Sequence, residues 1–176
     1  MTFAVQINQA LGGFTVLAEI FIVVLLAFSF TRRGREWVRH IVGEQALFYG
    51  FIVALAATLG SLIYSDVLGY EPCKLCWFQR IFMYPQVLLL GFALIKKQRV
   101  IIDYALALAI PGALVAGYHY LLQLGVAPSL PCAAVGYSVS CSERFVLQFG
   151  YITIPLMAFT AFVLIGFLLW YGRAKK

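Results

Sequence analysis

Long apolar runs separated by short charged clusters make up most of the chain. The first covers residues 11–30, broken only by Glu19, and ends in the basic stretch "TRRGREWVRH". Four more follow at about residues 45–66, 77–95, 100–124 and 151–171. About 20 apolar residues in helical form span the hydrocarbon layer of a bilayer, and a helix satisfies its own backbone polar groups there. The pattern therefore predicts five membrane-spanning helices, an all-α integral membrane protein with almost nothing left over for a soluble domain.

Composition agrees with this reading. Of 176 residues, 63% are hydrophobic and only 11% charged, less than half the charge of an ordinary soluble domain. The charge that remains orients the chain, because Lys and Arg collect in short cytoplasmic loops. Arg32, Arg33, Arg35 and Arg39 separate spans one and two, Lys96, Lys97 and Arg99 separate spans three and four, and Arg173, Lys175 and Lys176 follow span five. Ten of thirteen basic residues thus fall on one side of a five-span topology, which is the cytoplasmic side. The N-terminus, residues 67–76 and residues 125–150 face outward, and the C-terminus faces the cytoplasm. The net charge of +6 records this topology and gives no reason to expect nucleic acid. The opening "MTFAVQINQALGG" carries no basic residue, unlike a secretory signal, so the first span is expected to be a retained helix.

All four cysteines, Cys73, Cys76, Cys132 and Cys141, then lie in outward loops or at their membrane edges. Disulfides persist outside the cytoplasm, and two pairs suggest two disulfides or dithiols, although four cysteines allow three connectivities. The stretch "EPCKLCWFQR" holds a Cys-x-x-Cys pair. So short a ring suits thiol exchange better than stabilisation, which gains more from closing a long loop. Pro72 ends an extended segment, and the next helix is expected to begin near Trp77. Cys76 would then sit at a helix N-terminus, where the unpaired N–H groups and the dipole favour a thiolate. The second pair, "CAAVGYSVSC", lacks the short spacing of a zinc knuckle, and no metal is expected. Inert structural disulfides remain the plain alternative.

Few polar residues accompany these cysteines in the outer membrane half. Arg80 follows Cys76 by four residues, on the same helix face and about 6 Å along the axis. It either snorkels to the surface or stabilises a thiolate and the oxygen of a bound acceptor. Gln79 lies at the same level. His119, in "GYHYLLQLG", is near the outer end of span four, and Glu19 is an intramembrane carboxylate without a sequence neighbour to pair with. Glu143 and Arg144 read as a solvated pair, and Pro85, Pro111 and Pro155 as kinks.

Together the CxxC at an outer helix start, Arg80 four residues on, His119 in the next helix and a second outward pair ending in "CSER" resemble the DsbB family, including its BdbC-type members. The resemblance covers about residues 45–171. It implies a four-helix transmembrane bundle core (residues 45–176), preceded by an additional N-terminal transmembrane helix and basic cytoplasmic loop (residues 1–44). It also implies a protein-disulfide oxidoreductase of the bacterial inner membrane. A DsbA-like thioredoxin-fold oxidase would attack a Cys132–Cys141 disulfide at Cys132, and Cys141 would pass electrons to Cys73–Cys76. Cys76 would meet a quinone, ubiquinone or menaquinone from the membrane pool, with Arg80 and His119 at the quinone oxygens. A vitamin K epoxide reductase-like enzyme is the runner-up, but its CxxC falls late in the chain, whereas here it comes first.

Overall fold

The computed structural model describes residues 2–127 and 140–173. Five helices make up most of it: α1 (Thr2–Ser29), α2 (Arg32–Leu62), α3 (Lys74–Lys96), α4 (Ile101–Gln123) and α5 (Ile154–Arg173). Each is long and apolar enough to cross a bilayer. A π-helical turn, Ile63–Val67, extends α2. Among the described residues the β-bridge Gln148–Ile152 stands alone, and it closes a turn in which Phe149 and Gly150 both have positive φ.

Helices α2 to α5 form the bundle. α5 packs against α4 and α2, α3 lies against the same two helices, and α1 makes its main contacts with α2 and α5. Lipid gives apolar faces no reason to leave it, so helices in a membrane associate by close packing around small residues. The core follows that rule, with Ala54, Ala105, Ala109 and Ala116 set among Leu90, Phe162, Ile165 and Leu169. Gly112 is the tightest glycine of this core: a Cβ there would overlap the Phe162 ring.

The helix ends differ from the sequence expectation in three places. α1 begins at Thr2 rather than near residue 11. α2 begins at Arg32, so residues 32–44, expected as a basic loop, are helical. Thr31 caps this helix by accepting from the Gly34 amide at 3.0 Å. The buried residues Gly34, Val38, Val42, Ala46, Gly50 and Ala54 repeat every four positions from the basic segment into the membrane, which is the face of one continuous helix. α3 begins at Lys74, three residues before Trp77, and that shift rearranges the cysteine chemistry.

At the opposite end from the cysteines, Arg99 reaches the carbonyls of Gly43 and Gly172, 3.5 Å each, and Arg173 pairs with Asp103 at 2.8 Å. The three basic segments therefore meet at one end of the bundle.

Candidate functional site

Because α3 starts at Lys74, its capping residue is Cys73, whose sulfur accepts from the Cys76 amide at 3.4 Å. This is the position that Ser or Asp usually fills at a helix start. The sulfurs of Cys73 and Cys76 are free thiols 3.2 Å apart. Sequence reading put the favoured thiolate at Cys76; the structure corrects this, since the donors converge on Cys73. The Cys76 thiol holds Cys73 well below the ordinary thiol range, burial opposes the shift, and His119 and the Cys76 amide add to it. With Cys73 ionised, the shared hydrogen belongs to Cys76.

His119 is 1% exposed and joins the two cysteine regions. Its Nε2 lies 3.7 Å from Cys73 Sγ and 3.0 Å from the Cys141 carbonyl oxygen, while Nδ1 lies 2.8 Å from Gln79 Nε2. A carbonyl only accepts, so Nε2 must carry a hydrogen. Gln79, as oriented, donates to Nδ1, which leaves Nε2 as the nitrogen that carries the hydrogen. Cys73, Leu75, Leu122 and Cys141 pack together around this contact. Cys141 is disulfide-bonded, and Cys132 lies outside the described residues. The Cys73, Cys76 and His119 ligand atoms also lie within 4.8 Å of one another, a spacing open to a thiophilic metal. Among the described residues no fourth Cys, His, Asp or Glu completes the set of a structural zinc site.

Arg80 does not simply snorkel. Its Nε donates to Ser61 Oγ at 3.1 Å and its Nη2 to the Ser61 carbonyl at 3.2 Å, both on α2. The guanidinium lies 5.2 Å from the Trp77 ring centre and 6.0 Å from that of Tyr84, and Tyr84 donates to Ser61 at 3.2 Å. A guanidinium held this way stands one helical turn from Cys76 with little rotational freedom.

These residues line one cavity of about 480 Å³, a normal size for a small-molecule site. Cys73, Cys76, Gln79, Arg80 and His119 form its polar part, and side chains of α1, α2 and α5 such as Leu11, Val53 and Ala158 supply apolar walls. Tyr64, Tyr70 and Phe145, stacked in sequence with centres 5.9 and 5.2 Å apart, border it at the outer end.

Sequence reading did not find Ser61, Tyr84 or Gln123. Gln123 donates to the Glu143 carbonyl at 2.9 Å, and Arg144 donates to the Gln123 carbonyl at 3.0 Å through Nε. Arg144, expected as half of a solvated pair, thus satisfies a carbonyl at the end of α4 and ties the Cys141 loop to the His119 helix. Glu19 stands apart from the cysteines. It accepts from Tyr151 at 2.8 Å and from Thr160 at 3.4 Å, which joins α1 to α5.

Comparison with known proteins agrees with this arrangement. Residues 43–172 match the family described as "Disulfide bond formation protein DsbB". Over 123 residues, 70% of this chain and 88% of the relative, it is 46% identical to "Probable disulfide formation protein C 1" of Bacillus anthracis. Over 121 residues, 68% of this chain and 86% of the relative, it is 44% identical to "Disulfide bond formation protein C" of Bacillus subtilis. No solved structure matches. The match takes in α3, α4, α5 and all but the first turns of α2, and it leaves α1 out. The chain, a multi-spanning helical protein with a CxxC at the mouth of its bundle, belongs to the DsbB family of disulfide bond formation proteins.

Proposed function

We propose that the protein reoxidises an extracytoplasmic thioredoxin-fold oxidase of the DsbA type and passes the electrons to a membrane quinone. The observation that carries this reading is the position of His119. Through it Cys73 adjoins the backbone of Cys141, while Cys76, a turn before Arg80, lines the cavity. One cysteine pair therefore has a neighbour on each side, a second cysteine loop and a lipid-accessible chamber.

The partner's dithiol reduces the Cys132–Cys141 disulfide, beginning at Cys132. Cys141, as thiolate, then attacks Cys73 and releases Cys76 from the Cys73–Cys76 bond. Cys132 displaces Cys73 from the mixed disulfide. Hydrogen bonds from His119 and from the Cys76 amide and thiol favour Cys73 as the sulfur displaced, because a leaving thiolate departs faster when its charge is stabilised. Re-forming Cys73–Cys76 from the Cys73 thiolate and the Cys76 thiol gives up two electrons and one proton. A bound quinone would supply the two-electron acceptor for them.

The cavity fits such a molecule. Its walls are largely apolar, and its few polar groups include a fixed cation suited to a carbonyl oxygen. Arg80 would hold an oxygen through the guanidinium N–H groups that Ser61 does not take, and Cys76 would be the sulfur that meets the ring. His119, whose N–H is given to Cys141 and Cys73, would act on the quinone through Cys73.

The test adds the purified protein and a quinone to a reduced thioredoxin-fold partner and follows quinone reduction optically. Turnover is expected. Cys76→Ser abolishes it, and Arg80→Ala raises the KM for quinone by roughly tenfold or more, the scale of one lost charge-assisted hydrogen bond. If no quinone is consumed and the cysteines stay inert to the partner, the reading is wrong.

A further inference from the structure

We propose that α1 and α2 frame a lateral opening of the acceptor cavity, through which the hydrocarbon tail of the quinone passes, so that α1 sets which tail the protein accepts. This rests on the quinone reading above and adds a role for a helix that lies outside the family match.

The cavity wall shows where the opening lies. Leu11, Phe14, Thr15 and Ala18 of α1 line it, as do Ile52 and Ala56 of α2. Most lining residues are buried or half-buried. Besides the loop residues at the outer end, the exposed ones are Phe14, Ile52 and Ala56. Phe14 is 68% exposed and Ile52 44%. Side chains that border a cavity and also face outward mark its rim, and this rim lies between two helices that cross the apolar layer. What meets it there is lipid.

The rim has no polar group to offer. Thr15 gives its hydroxyl hydrogen to the Leu11 carbonyl at 2.9 Å, and Glu19 is engaged by Tyr151 and Thr160 of the α5 side. α1 therefore contributes apolar surface to a ligand and leaves the electron transfer to α3 and α4. Its position is fixed at several levels. Asn8, Gly12, Thr15, Ile22 and Leu25 form its buried stripe, Gly12 brings it close to Gln148 of the outer loop, and Ser29 accepts from Tyr171 at 2.7 Å. A wall held this firmly can discriminate by shape.

The test measures equilibrium binding of two quinones with the same ring, one bearing a decyl tail and one only a methyl group, by quenching of tryptophan fluorescence in the purified full-length protein. Ala56→Phe narrows the opening and Phe14→Ala strips its rim. Each is expected to weaken binding of the decyl quinone by roughly tenfold and to change binding of the methyl quinone less than about twofold. Phe14→Ala alters a largely exposed side chain and so keeps the fold should the bulkier change fail. Equal losses for both quinones, or none for either, overturn the proposal and leave the quinone reading standing. An unaltered protein that binds neither quinone overturns both.

Discussion

Cys73 and His119 are the residues on which the chemistry turns, and they differ in how far the sequence revealed them. The cysteines, Arg80 and His119 stand out in a chain so poor in polar groups. Which sulfur gathers the donors did not, because that depends on where α3 starts. Three residues of extra helix move the cap from Cys76 to Cys73, and helix ends are set by cap contacts that composition does not display. Two measurements follow. In the reduced protein, the thiolate ultraviolet absorbance of Cys73 should titrate well below the ordinary thiol range of about 8.5, and His119→Ala should move that midpoint upward by removing a donor. The folded-state value is the depressed one, so its stabilising effect is complete above the ordinary thiol range and fades as pH falls toward the folded value. The melting temperature of the reduced protein should therefore drop, relative to that of the oxidised protein, as pH is lowered through this window. A pH-independent difference would mean that Cys73 is not held as a thiolate.

Elements were legible to the extent that apolar length defines them. All five spans exist, and α4, expected over residues 100–124, runs Ile101–Gln123. Charge misled at α2, where four arginines suggested a loop. The four-residue repeat Gly34, Val38, Val42, Ala46 was the signal that a helix continued beneath them, and basic side chains on the outer face of a helix cost it little. Packing between elements was not legible, because it depends on which glycine meets which ring. Gly112 illustrates this: α4 and α5 approach closely because Phe162 fills the space where a Cβ would stand. Gly112→Ala should destabilise the bundle by about 1–3 kcal/mol, the usual cost of overpacking, seen as a lower thermal unfolding midpoint in detergent. Adding Phe162→Leu should restore part of the loss. If Gly112→Ala melts like the unaltered protein, the two helices are not in contact at this point.

Across the whole molecule the two ends of the bundle carry opposite chemistry. Arg99 and Arg173 knit one end together through Gly43, Gly172 and Asp103, while Cys73, Cys76, His119 and Cys141 gather at the other. That separation was the part of the molecule most open to sequence reading, since the positive-inside tendency needs only the positions of lysine and arginine. The cavity between the helices was not, because its walls come from all five. Polarity also decides whether the proposed chemistry can run. Its disulfides must face a compartment where they persist, and a reducing cytosol would keep the Cys73–Cys76 pair open. The basic end should therefore lie in the cytoplasm. A reporter fused after Lys176 should be active only on the cytoplasmic side, and one inserted near residue 130 only outside. Moving charge should shift this balance: replacing Arg32, Arg33, Arg35 and Arg39 with neutral residues removes four of the ten basic residues in these three segments and should yield a mixed population in the same assay. A basic end found outside would put the cysteines in the cytosol and exclude an exchange partner beyond the membrane.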